Sequence, residues 1–141
     1  HPGAATFMKK KILVEHALKV REHAHAPYSR FKVGAALITE SGKIFTGCNV
    51  ENSSYGATIC AERNALGAMV AAGEHHFVEI AVVTDTTDGC PPCGICRQAL
   101  AEFAIDPKKA IIHMATLHEV KKSFSLVDLL PEAFSSAFLE R

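Results

Sequence analysis

The chain has 141 residues, which favours a single domain able to bury a core without disulfide or metal staples. Lys and Arg number 15 and Asp and Glu number 15, so the formal charge is zero, and the electrostatic footprint of a non-specific nucleic-acid binder is missing. Hydrophobic residues make up 48%, which excludes a disordered chain, and five cysteines are an odd count that no fully paired secreted framework can use.

Residues 1–7 begin with His and hold no basic run leading into an apolar block. They are expected to be an appended or disordered N-terminus, with Met8 as the native start and residues 8–141 as one domain. No run of about 18 apolar residues occurs, so no membrane span is expected. Without an export signal the expected location is the cytoplasm. Cysteines there are more often metal ligands or catalytic groups than disulfides.

The spacing of Leu13, Ala17, Val20 and Ala24 predicts a helix over Lys9–His25, stopped by Pro27. Lys9, Lys10 and Lys11 read as its solvated start. Phe31–Thr39 and Lys43–Cys48, joined by a Glu40-Ser41-Gly42 turn, predict a β-hairpin. Val50–Thr58 is a loop, and Cys60–Ala72 a helix closed by Gly73. Ile80–Thr84 is a buried strand, followed by a loop and a helix over Cys93–Phe103. Ala110–Met114 is a further strand and Glu119–Phe124 a short one. Ser125 caps a brief helix that ends at Pro131, and Ser135 or Ser136 opens a last turn. The order α, β, β, α, β, α, β predicts a mixed sheet covered on both faces.

Two segments carry chemistry: Thr58-Ile59-Cys60-Ala61-Glu62-Arg63 and Pro91-Pro92-Cys93-Gly94-Ile95-Cys96-Arg97. Each lies where a loop feeds a helix. Cys93 and Cys96 are three apart, so both thiols fall on one face of a first turn. With Cys60 they can hold zinc in an open tetrahedral site whose fourth position is free for water. Helix N-termini favour thiolate over thiol. Three thiolates on Zn²⁺ leave a charge of 2 − 3 = −1. Arg63 is the expected compensating cation, with Arg97 a second candidate. Glu62 shares a stripe with Leu66 and Met69, where a carboxylate is costly unless it is paired or functional. The capping-box reading fails because Ile59 stands where Ser or Thr is needed. Glu62 is therefore the expected general base and acid. Cys90 could instead close a four-cysteine structural site, and Cys48 reads as a small buried hydrophobe. The histidines, among them His23, His25, His75 and His76, have no ligand spacing that matches the cysteines.

Cys60-Ala61-Glu62 with Pro92-Cys93-Gly94-Ile95-Cys96 resembles the zinc deaminase signature. Phe31–Leu37, Gly47–Tyr55, Cys60–Arg63 and Leu129–Pro131 extend the likeness to the short homotetrameric cytidine deaminases, from about Lys11 to Phe134. The resemblance implies a three-layer α/β/α sandwich around a five-stranded mixed sheet and one zinc per subunit. It implies hydrolytic deamination of cytidine and 2′-deoxycytidine, as in pyrimidine salvage, with Glu62 shuttling protons. By the same resemblance Asn49 and Glu51 bond the ribose hydroxyls, Phe31 packs on the pyrimidine, and the Ala61 backbone reads the base edge. Tyr55 and Phe134 reach a neighbouring subunit's pocket, so the expected partners are a nucleoside and further copies of the chain, with neither nucleic acid nor membrane. A deaminase of another small aminopyrimidine nucleoside, such as a blasticidin-type antibiotic, is an alternative; so are a tRNA-type base editor and a non-catalytic zinc-stabilised interaction module.

Overall fold

The computed structural model describes the backbone of residues 2–140 and side chains from Phe7 onward. Helix α1 (Pro2–Arg21) is followed by a hairpin of β1 (Val33–Thr39) and β2 (Ile44–Cys48). Helix α2 (Ala61–Ala71), strand β3 (Phe77–Thr84), helix α3 (Gly94–Phe103) and strand β4 (Ile111–Ala115) come next. Strand β5 (Val120–Ser125) and the short helix α4 (Leu126–Leu129) complete the order before a final 3₁₀ turn, Ser136–Leu139.

The sheet order is β2-β1-β3-β4-β5. Only β3 and β4 run parallel, and the other neighbours are antiparallel, so the sheet is mixed. Helix α1 covers one face, with Leu13 and Ala17 against Ala36, Ala81, Val83 and Ala115. Helices α2 and α3 cover the other, where Leu66, Met69 and Leu100 meet Leu37, Phe77, Ile80 and Ile112. Alternate residues of a strand face opposite sides, so the buried runs of β1 and β3 feed both cores. The expected α/β/α architecture is the observed one.

Helix α1 begins at Pro2 rather than Lys9, so helix runs through residues 2–7, where an appended or disordered segment was expected. It also stops at Arg21 rather than His25. Tertiary pairing overrides the helical pattern there: His25 N–H donates to Asn49 O (3.0 Å) and Glu51 N–H to His25 O (2.8 Å). Helix α2 ends as its sequence predicts. Gly73, at φ +86°, lets Glu74 N–H reach back to Met69 O, closing a Schellman turn.

Helix α2 lies almost directly on β2. A Cβ at Gly47 would stand 2.4 Å from Ala65 N and 2.5 Å from Ala61 O, so only glycine admits this approach. Asn64 Nδ2 donates to Cys48 O (2.8 Å) and fixes the rotation of the helix. Loop 49–60 is pinned by a two-way bridge between Val50 and Ile59. These contacts set where Cys60 and Glu62 stand.

One buried polar group was not anticipated. His113 of β4 is 2% exposed. Its Nε2 bonds Glu79 Oε1 and its Nδ1 bonds Ser123 Oγ, both at 2.7 Å. With Nε2–H donating to Glu79 and the Ser123 hydroxyl donating to Nδ1, every member is satisfied.

Candidate metal centre and substrate cavity

Strands β3 and β4 end on the same edge, and both helices that follow a cysteine motif start there. That is the crevice at the carboxyl ends of parallel strands where open α/β sheets bind ligands. Cys60 is the residue before α2 and Cys93 the residue before α3; both are extended, and neither caps its helix with a hydrogen bond. Cys96 lies in the first turn of α3 and is buried. The three sulfurs lie within 4.8 Å of one another, with Cys60 and Cys93 at 4.0 Å. Tetrahedral Zn–S bonds of about 2.3 Å would place sulfurs roughly 3.8 Å apart, so the donor set fits one zinc ion with little movement. Cys90 is not in this group: its thiol is directed to Pro91 O (3.5 Å), and no fourth thiol closes the site among the described residues.

The electrostatics favour one anionic sulfur, that of Cys60. A hydrogen bond from Cys96, helped by the Arg63 guanidinium and Cys93, draws Cys60 down to about 5. The hydrogen bond to Cys60 and burial keep the Cys96 proton on. Arg63 Nη2 donates to Thr58 O (3.2 Å) and lies 4.0 Å from Cys60 Sγ. Arg63 Nε is the one buried side-chain polar atom without a partner among the described residues. Arg97 does other work: its Nε donates to Pro92 O (2.8 Å) and its Nη1 to Leu129 O (2.9 Å), tying the cysteine loop to α4.

Glu62 is 4% exposed, on the stripe that reads as core. Burial, and then the charge on Cys60, push its carboxyl up to about 7. Near neutrality it is available as both base and acid. It faces a cavity of about 190 Å³ that also takes in Phe31, Asn49, Cys60, Ala61 and Cys93. Five of the expected site residues thus meet Glu62 in one place. Ala61 is the first residue of α2, so its N–H has no partner within the helix.

Sequence reading missed Val33, Thr58, Val82, Thr84, Cys90 and Pro91 as further walls of this cavity. The pairing Val33↔Thr84 brings two of them together across β1 and β3, a contact with no local signal. Asn49 is 8% exposed, with Oδ1 accepting from Val33 N–H (2.9 Å) and Nδ2 donating to Phe31 O (2.7 Å). One amide hydrogen and one lone pair of its side chain are left over. Glu51 lies outside the cavity, in an adjoining groove with Tyr28, Ser29, Tyr55 and Thr58. Tyr55 is 75% exposed, edge-on to Tyr28. Phe134 is 56% exposed, stacked on Phe138, and its carbonyl accepts from Gln98 Nε2 (3.0 Å). Neither lines the cavity that holds Glu62.

Residues 8–114 match the family described as "Cytidine and deoxycytidylate deaminase zinc-binding region". A cytidine deaminase of Halalkalibacterium halodurans is 43% identical over 129 residues, 92% of this chain and 96% of the relative. One from Sporosarcina psychrophila is 44% identical over 128 residues, 91% and 93% of the two chains. The crystal structure of a cytidine deaminase from Burkholderia pseudomallei superimposes with a TM-score of 0.83 at 48% identity, covering 88% of this chain and 98% of that one.

Proposed function

The chain belongs to the cytidine and deoxycytidylate deaminase family with its zinc-binding region, and from that premise we propose that it converts cytidine and 2′-deoxycytidine to uridine and 2′-deoxyuridine with release of ammonia. The observation that carries this reading is a buried carboxyl, Glu62, beside an open three-cysteine ligand set at the wall of one cavity. Cys60, Cys93 and Cys96 hold the zinc and Arg63 offsets their excess charge. When bound, zinc supplies the Lewis acidity that readies water for attack at neutral pH. Glu62 takes a proton from the attacking water and gives it to N3 of the pyrimidine. Once the C4–O bond has formed, Glu62 takes the remaining proton of the new C4 hydroxyl and gives it to the amine, so the C4–N bond breaks, ammonia leaves and the C4 carbonyl is left. The Ala61 N–H reads the base edge, and Phe31 packs on the ring. Asn49 uses its free amide hydrogen on the sugar, and Glu51 accepts from the 3′-hydroxyl.

In this reading residues 8–141 form one catalytic domain that works in cytoplasmic pyrimidine salvage as a homotetramer. A cavity of about 190 Å³ is small beside the ~300–1,000 Å³ of typical ligand sites, which supports a pocket completed by a neighbour. The exposed rings of Tyr55 and Phe134 suit that part.

The direct test follows ultraviolet absorbance of cytidine, 2′-deoxycytidine, cytosine and a blasticidin-type nucleoside with zinc-loaded protein. Turnover of the two cytidines is expected. Turnover of the antibiotic alone would assign the alternative substrate class. Glu62→Ala should retain zinc and lose at least ~10²-fold in kcat, the scale of positioned acid–base catalysis. Wild-type turnover by that zinc-loaded variant would sink the mechanism.

A further inference from the structure

The outer rim of the cavity hangs on a short exposed segment, residues 28–31, that ends in Phe31. Glu51 lies across from it. Glu51 Oε1 accepts from the N–H groups of Tyr28 (3.0 Å) and Ser29 (3.1 Å), and Oε2 accepts from the Ser29 hydroxyl. The same hydroxyl oxygen accepts from Phe31 N–H (3.0 Å). One Oγ therefore links the aromatic wall of the base pocket to the carboxylate of the sugar groove. Between them Arg30 has φ +62°, a left-handed conformation that costs a non-glycine residue about 1 kcal/mol or more. The turn depends on side-chain acceptors for its backbone N–H groups, and Glu51 from outside the segment and Ser29 from within it provide them.

We propose that Ser29 is a positioning residue for the nucleoside reaction, its single hydroxyl orienting Glu51 towards the sugar while holding Phe31 against the base. This rests on Glu51 as the sugar ligand. An ionised carboxylate offers about four lone-pair sites. Two backbone N–H groups and one hydroxyl occupy three, which leaves one aimed by the other three. The Ser29 hydrogen bond also holds the Glu51 carboxyl below its usual range, so the acceptor is anionic at neutral pH. Alanine at 29 removes the orienting bond and strips Phe31 N–H of its partner in one step. Threonine keeps the hydroxyl.

The test measures Ser29→Ala, Ser29→Thr and Glu51→Gln with cytidine and with 2′,3′-dideoxycytidine, and follows amide hydrogen exchange at Phe31. Ser29→Ala should raise KM for cytidine by about tenfold or more, the scale of a hydrogen bond to a charged group, with a smaller change in kcat. Its Phe31 amide should exchange faster, and Ser29→Thr should restore both readings. Glu51→Gln should be impaired on cytidine and much less so on the dideoxy nucleoside, which has no 3′-hydroxyl to accept from. Wild-type KM and wild-type Phe31 exchange in Ser29→Ala, beside an impaired Glu51→Gln, would overturn the role of Ser29 and leave the sugar reading standing. An equal loss in Glu51→Gln on both nucleosides would overturn the sugar reading and this proposal with it.

Discussion

Three thiolates around a divalent ion carry one surplus negative charge, and Arg63 is the cation within reach of it. Its guanidinium suits the place better than an ammonium would, because a planar fork can hold Thr58 O and face sulfur at once. Its Nη2 is the group that approaches sulfur, while Nε is buried without a partner among the described residues. Arg63→Ala should therefore weaken zinc retention against a chelator and lower kcat at saturating zinc, since an uncompensated thiolate set is a poorer Lewis acid. Arg63→Lys should recover part of the charge but not the fork, and fall between the two. Zinc competition with a colorimetric chelator, read beside the nucleoside assay, measures both effects. Zinc affinity and kcat at wild-type levels in Arg63→Ala would remove Arg63 from the charge balance.

At the scale of elements, the centre is made by placing two helix starts side by side, and the closest packing in that arrangement is α2 on Gly47 of β2. Gly47→Ala drives a methyl group into helix backbone. It should cost about 1–3 kcal/mol, the scale of overpacking, and disturb Cys60 and Glu62 together. Gly67→Ala, in the same helix, meets nothing within 4 Å and should stabilise by up to about 1 kcal/mol through helix propensity. Thermal midpoints should move in opposite directions, and only the Gly47 variant should bind zinc less tightly. A Gly47→Ala midpoint at or above wild type would refute the close-contact argument.

Much of this arrangement was legible in the chain. The hairpin, the Gly73 cap, the Ser125 cap and both cysteine motifs follow local rules, so their elements and ligands lie where those rules put them. What stayed hidden depends on distant partners. His113 is buried because Glu79 and Ser123 arrive from two other strands. His25 leaves the helix to pair with loop 49–51. The Ser29–Glu51 bonds join positions 22 residues apart. Arg97 and Arg63 both follow a cysteine motif, and only the fold shows that Arg97 ties the cysteine loop to α4 while Arg63 approaches Cys60.

At the scale of the whole molecule, the zero net charge suits an uncharged nucleoside, and the exposed rings of Tyr55 and Phe134 suit partners of the same kind. Phe134 is exposed and does not line the cavity, and Gln98 Nε2 of α3 donates to its carbonyl. If neighbours share sites, a defect in Glu62 and a defect in Phe134 lie in different parts of the assembly and can complement. Co-expression of Glu62→Ala and Phe134→Ala chains with two affinity tags isolates mixed oligomers. A site is whole when its Glu62 comes from one variant and its Phe134 from the other. Random pairing of equal amounts makes that so for about one half of one half, roughly a quarter of all sites. Mixed oligomers should therefore turn over cytidine at about a quarter of the wild-type rate, well above the mean of the two variants measured alone. Activity no greater than that mean would confine Phe134 to its own subunit, because a residue that serves its own cavity gains nothing from a neighbour that carries it intact.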